Sequence, residues 1–316
     1  MAYSSGDLIL DDHYNGFATD VNTVWGTGSG LAGYGQSNTV GSVSAGTVVS
    51  ATQWATLLSR ITSAASHQGS SITSISGPSA GNTISAYTAL SGNITTIGNN
   101  KNNANANGSD ITSGGAASYT SEWWGSSSAT FTITFSSANA ARYFFNAGGM
   151  FRVTSSRSGG SSNNKNTEWT DLCGDVGTMC FTSGAAATIA GTSYNAGITK
   201  IGGGGSTPAL TQIGYTGLTS AYQQTFTQYA DTAPYTANFI KVEVKDNNSN
   251  VVTVVVTYVD AAADTFVDNV GLPLDHDKVD GTLATTLVVR PPSTANISNT
   301  WGTPTISNSA TGTNAY

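Results

Sequence analysis

The alternation of apolar and polar residues in the second half of the chain limits its folding more than any other feature. Residues 130–135 alternate strictly, so that three apolar side chains lie on one face of a strand and threonines on the other. Residues 240–245 and 251–259 are two further strand patterns on either side of a turn cluster at 246–250, and residues 283–289 repeat the alternation. Strand–turn–strand spacing with few helices predicts an antiparallel β-sandwich.

The predicted β-sandwich domain spans residues 119–292. Within it, residues 142–153 are predicted to be strand interrupted by a glycine turn or bulge, and residues 166–174 to be a helical turn. Residues 293–316 are polar apart from Trp301 and are predicted to form an extended C-terminal tail.

Two segments near the N-terminus carry apolar residues at the i, i+3, i+4, i+7 spacing of one helix face. The first opens with Asp11 or Asp12 as a cap, and the second with Ser50 and Gln53 in capping-box spacing. Two short helices bury little apolar surface alone, so we expect them to pack on each other or on a neighbouring subunit. Residues 1–68 are therefore predicted to be a helical docking region. Its expected anchors are Tyr14, Phe17, Val21, Trp54, Leu57 and Ile61.

Residues 69–118 are polar and simple in composition, and residues 99–107 contain only Asn, Lys and Ala. Such a tract cannot bury enough apolar surface to offset its conformational entropy as an independent core. It is predicted to be a low-complexity arm or linker. The predicted fold is therefore mainly β, with an N-terminal helical pair and extended arm followed by the antiparallel β-sandwich.

Charge is scarce, and this excludes several functions. Charged residues make up 9% of the chain, against about 25% in an ordinary soluble domain. The net charge of −7 argues against a nucleic-acid partner, which requires a surplus of Lys and Arg. No stretch resembles a membrane span or a signal peptide, so no membrane association is predicted. A surface of Ser, Thr, Asn and Gly has little self-repulsion, which large ordered assemblies tolerate.

Few residues indicate catalytic chemistry. His13, His67 and His276 accompany no nucleophile motif, and His13 and His67 are expected to make hydrogen bonds at helix ends. Cys173 and Cys180 lack further ligands for zinc and are expected to be free thiols, although a disulfide stays open. We therefore predict no enzymatic activity, no catalytic residue and no cofactor.

One acidic stretch has the spacing of possible calcium ligands. Asp275, Asp277 and Asp280 place carboxylates at alternate or nearly alternate positions, which can gather around Ca²⁺. The stretch lacks the glycine and distal glutamate of an EF-hand loop, so a solvated loop is preferred and no metal site is predicted. Carboxylate pairing elsewhere is a spatial property that sequence leaves open. The main glutamates are Glu122, Glu168 and Glu243.

Several stretches together carry a family resemblance. They are the Gly-Tyr-Gly-Gln turn at residues 33–36, the two helix openings at 13–15 and 51–57, and Phe-Phe-Asn-Ala-Gly-Gly at 144–149. Along most of its length the chain resembles a family of virion structural proteins of tailed bacteriophages, especially those infecting cyanobacteria. The resemblance implies a tail, neck or fibre component located in the virion. Its partners would be other copies of itself and other virion proteins, and no catalytic residue is implied.

The leading hypothesis is a homo-oligomeric neck or tail fibre protein that docks through its N-terminal region. One alternative is a module that binds, or even cleaves, a host-surface glycan through exposed aromatic rings. Trp123, Trp124 and Trp301 are its candidates, since adjacent tryptophans on a strand cannot both face inward. Another alternative is a protein that decorates the head surface, which differs only in location.

Overall fold

A computed structural model describes residues 11–77, 86–246, 250–262 and 278–313. The described residues are mainly β, with antiparallel sheets and five α-helices. The helices are α1 (Asp11–Trp25), α2 (Ala51–Gln68), α3 (Tyr87–Asn99), α4 (Ala138–Asn146) and α5 (Asn164–Asp175). The strands are β1 (Ala116–Tyr119), β2 (Ser126–Thr134), β3 (Met150–Ser158), β4 (Thr178–Phe181), β5 (Ala187–Ile189), β6 (Thr192–Tyr194), β7 (Ile198–Ile201), β8 (Ala209–Leu210), β9 (Gln223–Tyr229), β10 (Phe239–Asp246), β11 (Val251–Val259), β12 (Thr282–Arg290) and β13 (Thr305–Thr313). None of these helices combines the length and the apolar character needed to cross a bilayer.

The strands form two large antiparallel sheets and one small hairpin. The five-stranded sheet has the order β1-β12-β3-β4-β7, and the six-stranded sheet has the order β13-β2-β11-β10-β9-β8. Alternate residues of β2, β11 and β12 are buried, as the sequence pattern predicts. Strands β5 and β6 pair separately.

The buried faces of the two sheets are joined through Tyr258 on β11. Its hydroxyl lies 2.7 Å from Ser155 Oγ on β3 and 2.6 Å from Thr285 Oγ1 on β12. The ring is fully buried, so both hydrogen bonds satisfy a polar group that water does not reach. One continuous cluster of buried side chains includes Tyr258 and extends from both sheets to α1, α2 and α3.

The region predicted to be an extended arm contains a helix instead. Helix α3 buries Leu90, Ile94 and Ile97 against α1 and α2. The i, i+4, i+7 spacing of these residues provides a narrow apolar stripe, although the surrounding sequence is polar. Buried Asn93 exchanges hydrogen bonds of 2.9 and 2.8 Å with the backbone of Thr73, which ties the segment before α3 to the bundle.

The strand prediction for residues 142–153 is wrong in its first half. Residues 138–146 form α4, whose N-cap is Ser137; its side chain accepts a hydrogen bond from the backbone N–H of Ala140. This cap and the alanine-rich first turn favour a helix, and the aromatic run that follows is buried on several sides. Gly148 at φ 92° then reverses the chain into β3.

Residues 305–313 are part of the six-stranded sheet, which corrects the prediction of an extended tail. Strand β13 pairs with β2 along nine residues, from Thr305 opposite Thr134 to Thr313 opposite Ser126. Trp301 is 1% exposed. The sequence pattern of β13 indicates a strand only weakly. The strand lies at a sheet edge and has Ser or Thr at every second position, with few apolar residues between them.

The Gly-Tyr-Gly-Gln turn and helix α4, two of the regions that carry the family resemblance, meet at one junction. Arg142 on α4 donates hydrogen bonds of 2.7 Å to the carbonyl oxygens of Ala32 and Thr27. Tyr34, from the Gly-Tyr-Gly-Gln turn, is fully buried and donates from its hydroxyl to the Lys101 carbonyl at 2.7 Å. Gln36 bonds the backbone of Ser298 in both directions at 3.0 and 2.9 Å. The turn therefore links the helices to the C-terminal segment.

Candidate functional site

The six expected docking anchors lie inside the protein. Each of these side chains is at most 7% exposed, and all six belong to the continuous core. The rings of Tyr14 and Trp54 meet edge to face with centroids 5.6 Å apart, which joins α1 to α2. The stripe residues are therefore contacts within the chain and do not form an exposed docking surface.

The three tryptophans proposed for glycan stacking differ in exposure. Trp123 is 1% exposed and packs edge to face on Trp169 at a centroid distance of 4.9 Å. Trp301 is equally buried. Trp124 is half-buried, and Lys278 Nζ lies 6.0 Å from its ring centroid. Of the three, only Trp124 presents any surface to a ligand.

Asp280 has a structural role. Asp275 and Asp277 lie outside the described residues. The carboxylate of Asp280 accepts hydrogen bonds of 3.0 Å from the backbone N–H of Ser161, and also bonds the side chains of Ser161 and Asn166. The hydrogen bond from the Ser161 side chain lowers the pKa of Asp280 most. The other hydrogen bonds and the charge of Arg157 lower it further.

His67, Cys173 and Cys180 also have structural roles, and His276 lies outside the described residues. His67 on α2 is 2% exposed, and its Nε2 lies 3.0 Å from the Ala147 carbonyl oxygen. Burial lowers its pKa to about 4. Cys173 and Cys180 are buried free thiols, and burial raises their pKa to about 12 and about 11, so neither is an activated nucleophile.

A cavity lies beside α5. Its volume is about 660 Å³, and its walls come from α5, the loop before it and the turn that follows β9. Residues of α5 on this wall include Glu168, Asp171 and Asp175. Their i, i+3, i+7 spacing puts all three carboxylates on one helix face.

Helix α5 is held firmly over the sheets. Its N-cap is Asn163, whose side chain accepts a 2.7 Å hydrogen bond from the backbone N–H of Asn166. Lys165 Nζ lies 2.6 Å from Asp260 Oδ2, just after β11, and both side chains are buried. Trp169 is fully buried. The carboxylate face of α5 is therefore fixed in position.

Three carboxylates converge at one edge of the cavity. Oxygens of Glu168, Asp171 and Asp231 lie within 4.8 Å of one another, with Glu168 buried and both aspartates exposed. Asp231 comes from the turn after β9, where Thr232 Oγ1 donates to Asp231 Oδ1 at 3.2 Å. Such a cluster of oxygen ligands matches the chemistry that hard cations prefer.

Burial and the neighbouring carboxylates both disfavour negative charge in the cluster. Burial raises the pKa of Glu168, and the charges of Asp171 and Asp231 raise it further, while hydrogen bonds from Thr232 oppose the shift. Burial also raises the pKa of Asp175, to which the same two aspartates contribute. Each raised pKa means that the neighbourhood disfavours another negative charge.

The sequence does not reveal this cluster, because one member comes from a turn that is distant along the chain. The signal available was the i, i+3 spacing of Glu168 and Asp171 on the predicted helical turn at residues 166–174. Asp231 had no pattern that connected it to that helix. The candidate calcium ligands were instead sought in a contiguous acidic stretch.

The chain matches no family model, no curated protein and no solved structure. The resemblance to phage virion proteins therefore stays a prediction.

Proposed function

We propose that the protein is a non-enzymatic structural component of a tailed phage particle, acting as a neck or tail fibre appendage. The supporting observation is the part of the six-stranded sheet's outer face that is formed by the outward residues of β13, β2 and β11. None of these fifteen residues is charged, and all ten from β13 and β2 are Ser or Thr. The charged residues of this sheet face are Lys241, Glu243 and Lys245 on the neighbouring β10. The part formed by β13, β2 and β11 carries no charge, so it adds no electrostatic repulsion when copies associate.

The hydroxyl groups of this outer face can pair with a second copy of the same face. Each Ser or Thr hydroxyl is both a donor and an acceptor, so the face is self-complementary. Within the chain such pairs already form, with Ser126 Oγ 2.8 Å from Thr313 Oγ1 and Ser128 Oγ 3.0 Å from Thr311 Oγ1. The proposal takes the two large sheets as the layers of a β-sandwich that exposes this face.

The proposal keeps the N-terminal region as the attachment region but assigns the contact to different residues. Val48, in the loop between α1 and α2, is 92% exposed, whereas the stripe residues of both helices are buried. An exposed apolar side chain on that loop can be covered by another virion protein. The partners proposed are other copies of the chain and other virion proteins, with location in the virion.

The glycan-binding alternative has less support. Two of its three tryptophans are 1% exposed, so a sugar ring cannot reach them in the folded chain. Head-surface decoration differs from the leading proposal only in location, and the copy number per particle, which the experiment below measures, distinguishes the two.

The test is incorporation into particles of a phage whose genome encodes this chain. We expect mass spectrometry of purified particles to find the protein at a handful to a few dozen copies. The pair Thr130→Lys with Ser307→Lys charges the outer face and should abolish incorporation. The control pair Thr154→Lys with Ser156→Lys charges exposed positions on β3 of the other sheet.

Circular dichroism must first show that both pairs fold. Absence of the wild-type protein from particles contradicts the proposed function. Equal incorporation of the two charged pairs contradicts the role of the outer face. Hundreds of copies per particle would favour decoration of the head.

A further inference from the structure

We propose that Glu168, Asp171 and Asp231 form a binding site for a divalent cation, with Ca²⁺ preferred over Mg²⁺. The inference is independent of the virion role. It rests on the spacing of the three carboxylates, on an unsatisfied buried oxygen and on uncompensated charge.

The spacing fits a calcium ion. Ca²⁺ binds oxygen at about 2.3–2.6 Å, so two of its ligands can lie up to about 5 Å apart. The three carboxylate oxygens lie within 4.8 Å of one another, which is close to the spacing of ligands around one Ca²⁺ ion. Mg²⁺ binds at about 2.0–2.1 Å and spans about 4 Å, with a stricter octahedral geometry. Two ligands from a helix face and one from a turn suit the more irregular geometry of Ca²⁺.

Glu168 provides a second, independent indication of a ligand. The residue is 5% exposed, and its Oε1 has no hydrogen-bond partner although water does not reach it. A buried carboxylate oxygen without a partner is costly, and native structures rarely leave one. The residue lines the cavity, and its carboxylate takes part in the three-carboxylate cluster. Thr232 already donates hydrogen bonds to this carboxylate. A cation held by the three carboxylates would give the Glu168 carboxylate a further partner.

The charge of the cluster is not compensated within the described residues. None of the three carboxylates forms an ion pair there. The nearby guanidinium of Arg157 is engaged elsewhere, because its Nε and Nη2 donate to the Asp280 carbonyl at 3.0 and 2.6 Å. The cavity leaves room for the water molecules that complete a calcium coordination shell.

Unlike the acidic stretch at residues 275–280, this site takes its ligands from two elements that only the fold brings together. Two ligands are fixed by α5, and the third by the turn after β9, so a cation would join these two elements. Binding to the folded state alone raises stability by mass action.

The experiment is thermal unfolding of the full chain after EDTA treatment, with and without about 5 mM CaCl₂ or MgCl₂, which exceeds the dissociation constants of weak carboxylate sites. We expect Ca²⁺ to raise the midpoint by several degrees and Mg²⁺ to raise it less. Asp171→Asn and Asp231→Asn should each abolish most of the calcium shift. Both residues are exposed, so the variants should fold.

The matched control is Glu122→Gln, which removes an exposed carboxylate outside the cluster and should keep the full calcium shift. Isothermal titration with CaCl₂ should give one site in the wild-type chain and none in the double variant Asp171→Asn with Asp231→Asn. Absence of a calcium shift in the wild-type chain overturns the proposal, as does a shift of equal size in the aspartate variants. An equal shift with Mg²⁺ overturns the preference for Ca²⁺.

Discussion

His67 shows how burial of one side chain makes stability depend on pH. Its Nε2 faces a carbonyl oxygen, which only accepts, so the neutral ring carries its proton on Nε2 and donates it to Ala147. Burial lowers the pKa to about 4, from 6.5 in the unfolded chain. As pH falls from 6.5 towards 4, the unfolded state binds a proton that the folded state does not, so stability falls. We expect a loss of about 2–3 kcal/mol from this residue between pH 7 and about pH 4.5.

Urea denaturation of wild type and His67→Gln at both pH values checks this expectation, because glutamine can donate a hydrogen bond but does not titrate. The wild type should lose about 2–3 kcal/mol more than His67→Gln on acidification. Parallel losses in wild type and His67→Gln would show that His67 already titrates normally in the folded chain.

At the level of elements, the sequence predicts strands such as β2 and β12 but not helix α4 or the edge strand β13. The alternation in β2 and β12 reports directly which face is buried, so both strands follow from sequence. The aromatic run in α4 has no distinctive period, and the N-cap Ser137 was the better signal. The polar edge strand β13 carries little apolar alternation, so its pairing with β2 depends on tertiary contacts that sequence does not display.

The segment before β13 is held by Trp301, and this leads to a prediction for the element. Trp301→Ala removes a fully buried ring and should lower the free energy of unfolding by about 3–5 kcal/mol. It should also speed protease cleavage within residues 293–313, because the anchor of that segment is lost. Asn299→Ala, at an exposed position nearby, should leave both measurements unchanged. Cleavage at the wild-type rate in Trp301→Ala would mean that β13 pairing alone holds the segment.

At the scale of the whole molecule, the sequence predicted a docking region separate from the β region, whereas the buried cluster joins them. The apolar stripes of α1 and α2 were recognised correctly, and sequence left open whether they pack on each other or on a neighbouring subunit. The structure shows them packed within the chain, together with α3. The carboxylate cluster escaped prediction for the same reason, since Asp231 meets α5 only in the folded molecule.

A shared core predicts that helices and sheets unfold together. Trp54→Ala with Leu57→Ala removes two buried side chains, each worth about 2–5 kcal/mol, which is comparable to the whole stability of a domain. Hydrogen exchange should therefore show α1, α2, β2 and β11 losing protection in parallel, whereas Ser59→Ala on the exposed face of α2 keeps all of it. If α1 and α2 open while β2 and β11 stay protected, the helical region is an independent unit after all. If protection is instead lost in parallel, a core variant that fails to enter particles fails because it is unfolded. Attachment to a particle therefore has to be tested at exposed residues such as Val48.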